Sequence, residues 1–226
     1  MAVTTEDIQE ILAKEQLTTA DFATLEAFEP NEGTNRLYSF FTPVWLCEVM
    51  YKLAIRYGFK PNTGKVLEPA CGTGHFLTVL DRPENCTAFE LDKLNYEIAK
   101  KRAPKVTLYN QYFETAFLKP SRYTTLLKKE QPWLKGYPFD LVIGNPPYGR
   151  YRNLYSVHFK RLRIKQIELF FMLQCMKLLK KDGLLVFITA SSFMRNDKTY
   201  EHEKSLIGEL ADLVDAYRMP KIFKNT

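Results

Sequence analysis

Cysteine, histidine and glycine are scarce in this chain, and no apolar run is long. Its 226 residues hold 4 cysteines, 3 histidines and 10 glycines. Cys47, Cys71, Cys86 and Cys175 show no paired spacing, so neither a disulfide framework nor a zinc site is indicated. His75, His158 and His202 lie far apart and pair with no cysteine or acid at metal-ligand spacing, and no metal is expected. No stretch approaches the roughly 20 apolar residues of a membrane span. The N-terminus lacks the charged-then-apolar pattern of a signal peptide. A cytoplasmic protein without a membrane partner is therefore expected. Nucleophile-elbow and kinase signatures are absent too, as is any internal repeat or low-complexity segment.

What remains is an ordinary globular composition, 46% hydrophobic and 26% charged, long enough for one α/β domain with a substantial core. Lysine and arginine outnumber the acids by 32 to 26. That excess alone is as compatible with solubility as with nucleic-acid binding, but its distribution is uneven. Between Arg150 and Lys165 the segment RYRNLYSVHFKRLRIK carries 6 basic residues and no acid, interleaved with Tyr151, Tyr155, His158 and Phe159. Such a stretch offers charge for phosphates and rings on which bases can stack. Arg150, Arg152, Lys160, Arg161 and Arg163 are the candidate contacts; the plainer reading is a solvated loop and helix start.

Patterning places short amphipathic helices between Thr4 and Phe28, with Thr4 or Thr5 as a cap and Ile8, Ile11 and Leu12 on one face. Glu29 to Gly33 reads as a turn, and the N-terminal piece carries no evident chemistry. A helix is expected from Val44 to Tyr57, capped by Thr42 with Pro43 in its first turn. Strands follow at Lys65–Leu67, Thr87–Phe89, Val106–Tyr109, Phe139–Gly144 and Leu184–Thr189. Between them come helices at His75 to about Leu80, Tyr96–Arg102 and Ile167–Lys180, the last ended by Gly183. A basic, aromatic insertion fills the interval from Phe113 to Tyr137. Strands alternating with helices imply a doubly wound α/β fold with a mostly parallel sheet.

Three constellations carry chemistry. Glu68-Pro69-Ala70-Cys71-Gly72-Thr73-Gly74 leaves the first strand, where open α/β sheets bind ligands, and its glycines allow close backbone approach. Leu77 stands where a dinucleotide fingerprint needs a third glycine, and no Gly-Lys-Ser/Thr end cradles a triphosphate. Glu68 would repel phosphate but accept from an ammonium group. Glu90 ends the second strand, where an acid can accept from both ribose hydroxyls of a nucleoside cofactor. Taken singly, the first is also compatible with a tight turn and the second with a solvated strand end.

Asn145-Pro146-Pro147-Tyr148, ending the fourth strand, is the most specific. The prolines stop the sheet and fix the backbone. An exocyclic amine on an aromatic ring is a poor nucleophile because its lone pair is delocalised. The Asn145 side-chain oxygen and a rigid proline-bound carbonyl can both accept from that amine, localising the lone pair for in-line attack on a sulfonium methyl. Tyr148 can stack on the planar target. The stripe of Phe170, Phe171, Met172 and Met176 reads first as core.

In this order the motifs resemble the gamma-type N6-adenine DNA methyltransferases of type I and type II restriction-modification, over about Tyr38 to Thr226. The resemblance implies a Rossmann-like S-adenosylmethionine-dependent methyltransferase fold. It also implies methyl transfer to adenine N6 in DNA, in restriction-modification or phage defence, with the base flipped out of the duplex. On it, Phe41-Thr42-Pro43 is similar to the motif whose threonine contacts the methionine end of the cofactor. Glu68, Ala70, Gly72 and Gly74 fall in the cofactor loop. Glu90 and Leu91 match the ribose-binding acid and the apolar cover of the adenine ring. Phe171 falls beside cofactor and target base, and Asn145 to Tyr148 form the catalytic loop.

Where the family has Asp-Phe after the third strand, this chain has Tyr112-Phe113, so Asn110, Gln111 or a main-chain group must hold the adenine amine beside Phe113. The chain also stops after Lys221 to Thr226, before the family's closing hairpin and recognition domain. The expectation is a helical extension (1–37) and a C-terminally truncated catalytic domain (38–226) lacking its last strands. Its partners would be DNA and a separate specificity or recognition chain. A protein-glutamine or RNA amino-group methyltransferase, or a non-catalytic module of a larger assembly, are the alternatives.

Overall fold

Short apolar segments buried on both faces build the centre of the molecule. The computed structural model describes residues 3–28, 41–117, 137–152, 155–195 and 198–219. Strands β1 (Val66–Glu68), β2 (Cys86–Glu90), β3 (Thr107–Asn110), β4 (Phe139–Gly144) and β5 (Leu179–Phe187) form one parallel sheet in the order β3-β2-β1-β4-β5. This is the doubly wound arrangement expected. The turn at Glu29–Gly33, most of the insertion and the end from Lys221 to Thr226 lie outside the described residues.

The alternation of each strand sorts its side chains into two cores. Val66, Cys86, Ala88, Leu141 and Ile143 face helix α3 (Val44–Arg56) through Leu46, Met50 and Ala54. Leu67, Phe89, Phe139 and Val142 face the opposite side, where α6 (Ile167–Met176) supplies Phe170, Phe171 and Cys175. Phe139 and Val142 share a face although three residues apart, because the pairing of β4 with β5 shifts register between Phe139 and Leu141. Each fully buried aromatic or aliphatic side chain contributes about 1.5–3 kcal/mol.

Short α4 (His75–Thr78) follows β1, and α5 (Lys93–Arg102), capped by Asp92, follows β2. The N-terminal helices α1 (Thr5–Ala13) and α2 (Thr19–Ala27) each start with a capping box, Thr4 with Asp7 and Thr18 with Asp21. Ile8, Ile11, Leu25 and Phe28 close a small core against Ile98 of α5. Helix α7 (Glu201–Gly208) lies near the C-terminal end, with His202 exposed, as expected, and Glu203 buried.

Two expectations are corrected. The helix after Gln166 ends at Met176 rather than Lys180, and Gly183 lies inside β5 instead of terminating that helix. Leu179 is drawn into the sheet opposite Phe139, and Lys180 pairs with Asp140, so long-range pairing overrides the helical pattern. Nor does Thr42 cap α3: Pro43 occupies the N-cap, and the Thr42 hydroxyl is buried without a hydrogen-bond partner among the described residues.

Candidate active site

The sheet order sets the site, because β1 runs between β2 and β4 and all three end on the same edge. The glycine loop leaving β1 is thereby flanked by Glu90 on one side and by the Asn145 loop on the other. Gly72 and Gly74 adopt positive φ (55° and 86°). A Cβ on Gly74 would come within 3.1 Å of Ala99 on α5, so that position also needs glycine for close packing. Cys71 N–H donates to the Phe89 carbonyl at 2.9 Å, and Gly72 N–H to Glu90 Oε2 at 2.7 Å. Glu90 Oε1 accepts from Asp92 N–H at 2.7 Å. The acid expected to meet a ribose therefore also clamps the glycine loop. Burial pushes its carboxyl up to about 7, against the pull of these N–H donors.

Glu68 is 1% exposed. Its Oε1 accepts from Ala70 N–H at 3.3 Å, while Oε2 has no partner among the described residues. Desolvation pushes this carboxyl up to about 8, helped by the negative charge of Glu90. The carboxyl lies against Gly144, where any Cβ would run into Oε1. The end of β1 and the residue preceding Asn145 are thus in contact. Two buried polar atoms without partners, Glu68 Oε2 and Thr42 Oγ1, beside a glycine loop fit a ligand with an ammonium group and hydroxyls.

The Asn145–Tyr148 loop is held at both ends. Ile188 N–H donates to the Gly144 carbonyl at 3.2 Å. At the exit, Ile167 N–H donates to the Gly149 carbonyl at 2.8 Å, and Gly149 N–H donates to Glu168 Oε2 at 3.1 Å. Pro146 is buried, whereas Asn145, Pro147 and Tyr148 are half-buried. The Tyr148 hydroxyl donates to Asn145 Oδ1 at 2.7 Å and lies 3.0 Å from the Ile188 carbonyl. Its ring packs against the α3-side core. Desolvation and the nearby Glu168 charge raise the phenol, so it stays a neutral donor that orients the asparagine oxygen.

Other expected site residues divide. Leu91, expected to cover the adenine ring, is 40% exposed. Asn110 uses its amide N–H₂ to hold the Glu90 and Leu91 carbonyls at 2.9 and 3.0 Å, so its donor end fixes the β2 exit. Phe113 and Phe171, expected beside the cofactor, are 2% and 5% exposed and pack on each other with ring centroids 5.1 Å apart.

In the basic segment, Arg150, Arg152, Lys160, Arg161 and Arg163 are all exposed. Two of its rings are not available for stacking on bases. Tyr151 stacks on Phe170 at 4.2 Å, and Phe159 meets the same ring edge-on at 4.9 Å. These aromatics anchor the segment to the core while its cations project. Sequence reasoning missed Glu168 and Arg102, both buried. A lone acid inside the apolar run Ile167–Cys175 was the available signal for the first.

A family model described as Eco57I restriction-modification methylase matches residues 71–219. The modification methylase CviBIII of Paramecium bursaria Chlorella virus NC1A is 29% identical over 174 residues, 74% of this chain and 41% of that protein. The type II methyltransferase M.HincII of Haemophilus influenzae is 27% identical over 184 residues, 76% of this chain and 31% of that protein. The chain thus spans less than half the length of these relatives. Among solved structures, a Listeria monocytogenes protein assigned to the class I S-adenosylmethionine-dependent methyltransferases superposes with a TM-score of 0.59 at 17% identity, over 92% of this chain and 62% of that one. DrdV, in a complex with DNA, superposes with a TM-score of 0.58 at 23% identity, over 80% of this chain and 24% of that one. These likenesses establish the fold as an α/β, Rossmann-like methyltransferase fold.

Proposed function

The chain belongs to the Eco57I restriction-modification methylase family, and on that premise we propose that it transfers a methyl group from S-adenosylmethionine to the N6 amine of adenine in DNA. The observation that carries the reading is the contact of the Glu68 carboxyl with Gly144, which sets the ammonium-accepting end of the glycine loop against the amine-accepting asparagine. The cofactor supplies an electrophilic methyl on a sulfonium centre. Glu68 accepts from its ammonium group and Glu90 from its ribose, with Thr42 and Leu91 at the same edge. Asn145 Oδ1, oriented by Tyr148, accepts from the target N–H₂ and draws its lone pair out of the ring. Pro146 and Pro147 fix the backbone so that this acceptor is in place before the amine arrives.

Arg150, Arg152, Lys160, Arg161 and Arg163 neutralise DNA phosphates next to that loop. On this reading residues 38–226 form the catalytic domain, residues 1–37 precede it, and a recognition element or separate specificity chain selects the sequence. Among the described residues no helix is long and apolar enough to cross a membrane.

The test is to incubate the intact chain with methyl-labelled S-adenosylmethionine and, in parallel, adenine-containing DNA, the same sequence as RNA, and a release-factor-like protein. Label is expected in DNA, at adenine N6, and lost in Asn145→Ala although that variant still binds the cofactor. Label in protein or RNA alone overturns the reading. No cofactor binding by a folded chain would favour a non-catalytic module.

A further inference from the structure

Arg102 closes α5, where a cation facing the helix C-terminus would ordinarily be solvated. Here its side chain is 2% exposed. A guanidinium stays charged wherever it sits, so burial demands compensation. Its Nη1 donates to the Thr73 carbonyl at 3.1 Å, inside the glycine loop. Its Nη2 pairs at 3.7 Å with Oε2 of Glu26, a residue of α2 and hence of the N-terminal extension.

One peptide on, His75 reaches across the same loop. Its ring nitrogen Nδ1 lies 2.6 Å from the Thr42 carbonyl, which can only accept, so the hydrogen is on Nδ1. The other ring nitrogen is buried without a partner among the described residues. Burial and the Arg102 charge lower the ring's pKa, against the opposing pull of the Thr42 carbonyl and of Glu26. The loop between them has little freedom to compensate: Thr73 is 1% exposed, and Gly74 N–H donates to the Cys71 carbonyl at 2.9 Å. In a planar trans peptide the Thr73 carbonyl and the Gly74 N–H point opposite ways, so anchoring the carbonyl sets the direction of the N–H.

We propose that Glu26, Arg102 and His75 are positioning residues that set the backbone of the glycine loop, making the N-terminal helix pair a working part of the cofactor site. Helices α1 and α2 dock on α5 through Ile8, Ile11, Leu25, Phe28 and Ile98, which holds Glu26 where Arg102 needs an anion. The inference rests on the cofactor reading above for its consequence, and on geometry alone for the support itself.

Two measurements on the intact chain separate these. The first is calorimetric titration with S-adenosylmethionine, at a temperature where each variant is fully folded; the second is amide hydrogen exchange of the Gly72–His75 segment without ligand. Glu26→Gln is safe for folding because the side chain is 53% exposed. It should speed exchange in the loop and weaken binding a few-fold. Arg102→Met should weaken binding about ten-fold, the loss expected when a buried charge-assisted hydrogen bond goes unmade, and Arg102→Lys should restore part of it. Leu178→Ala, a core truncation at the opposite end of the sheet, should lower Tm while leaving affinity and loop exchange unchanged. Unchanged loop exchange in both Glu26→Gln and Arg102→Met overturns the proposal, as does an equal loss of affinity in Leu178→Ala. If the wild-type chain does not bind S-adenosylmethionine, the cofactor reading falls, and loop exchange alone decides whether the support exists.

Discussion

Replacing Glu68 by glutamine should improve the stability of the free protein relative to wild type progressively as pH rises, while impairing cofactor binding. The Glu68 carboxyl titrates at about 8 in the fold against 4.5 for an exposed glutamate. Between those values the native state retains a proton that the unfolded chain has lost, so its stability must fall as pH rises and level off above the upper value. Each unit of difference corresponds to about 1.4 kcal/mol, so the burden reaches about 3 kcal/mol by neutral pH. A glutamine has the same shape and no such titration. Its N–H₂ hydrogens, placed where Oε2 has no partner, carry a fixed penalty of about 1–3 kcal/mol. Because that penalty is independent of pH, it cancels when variant and wild type are compared across the window.

The assay is urea unfolding of both proteins from about pH 5 to about pH 8. The free-energy difference between them should shift in favour of Glu68→Gln by about 2–3 kcal/mol between pH 5 and 7. Glu90, raised to about 7, adds a slope of its own to both curves. Calorimetry should show that this variant binds S-adenosylmethionine poorly, since an amide cannot become the anion an ammonium group draws out. Parallel stability curves would refute the reasoning, for they would mean that Glu68 is charged in the free fold.

Tyr148→Phe keeps the ring and removes the hydroxyl that orients Asn145; kcat on DNA should fall about three- to ten-fold with unfolding free energy changed by about 1 kcal/mol or less. Glu168→Ala leaves Gly149 N–H without its acceptor, so steady-state kinetics should show kcat reduced about ten-fold with the cofactor Kd unchanged. Lys160→Ala with Arg161→Ala should weaken DNA binding without altering Tm, and should reduce the slope of log K against log salt by about 0.9 for each phosphate no longer neutralised. An unchanged salt slope would mean that these exposed cations face solvent only.

The parts of the site legible in the sequence were those that local chemistry dictates. Phe139 to Gly144 read as a buried strand because nearly every residue is apolar, and it is one, to the residue. The glycine and Asn-Pro-Pro-Tyr loops were recognisable because few functions need that backbone. What escaped was set by distant partners. Leu-Leu-Lys-Lys-Asp-Gly continues a helical pattern, and only Phe139 and Asp140, 40 residues earlier, pull Leu179 and Lys180 into β5. Arg102 looks like an ordinary C-terminal helix cation until the fold brings Thr73 and Glu26 to it. Tyr151 and Phe159 looked like stacking platforms because spacing does not tell a ring facing solvent from one facing Phe170.

The contact that matters most was implicit in neither motif alone. From β1 the chain winds outward through β2 to β3, then returns to place β4 on the other flank of β1 and β5 beyond it. Strand order therefore reverses between β1 and β4, and a doubly wound sheet opens its crevice where that reversal occurs. The loops on the two sides of the crevice are those following Glu68 and Gly144. Because Gly144 has no side chain, the Glu68 carboxyl can approach the strand end that delivers Asn145. Burying that acid costs stability at neutral pH, and the same burial keeps water from satisfying it. An acceptor left unsatisfied beside the Asn145 loop is what a cationic ligand would complete, so on the proposed function the cost of burial in the free fold and the affinity for the cofactor have one origin.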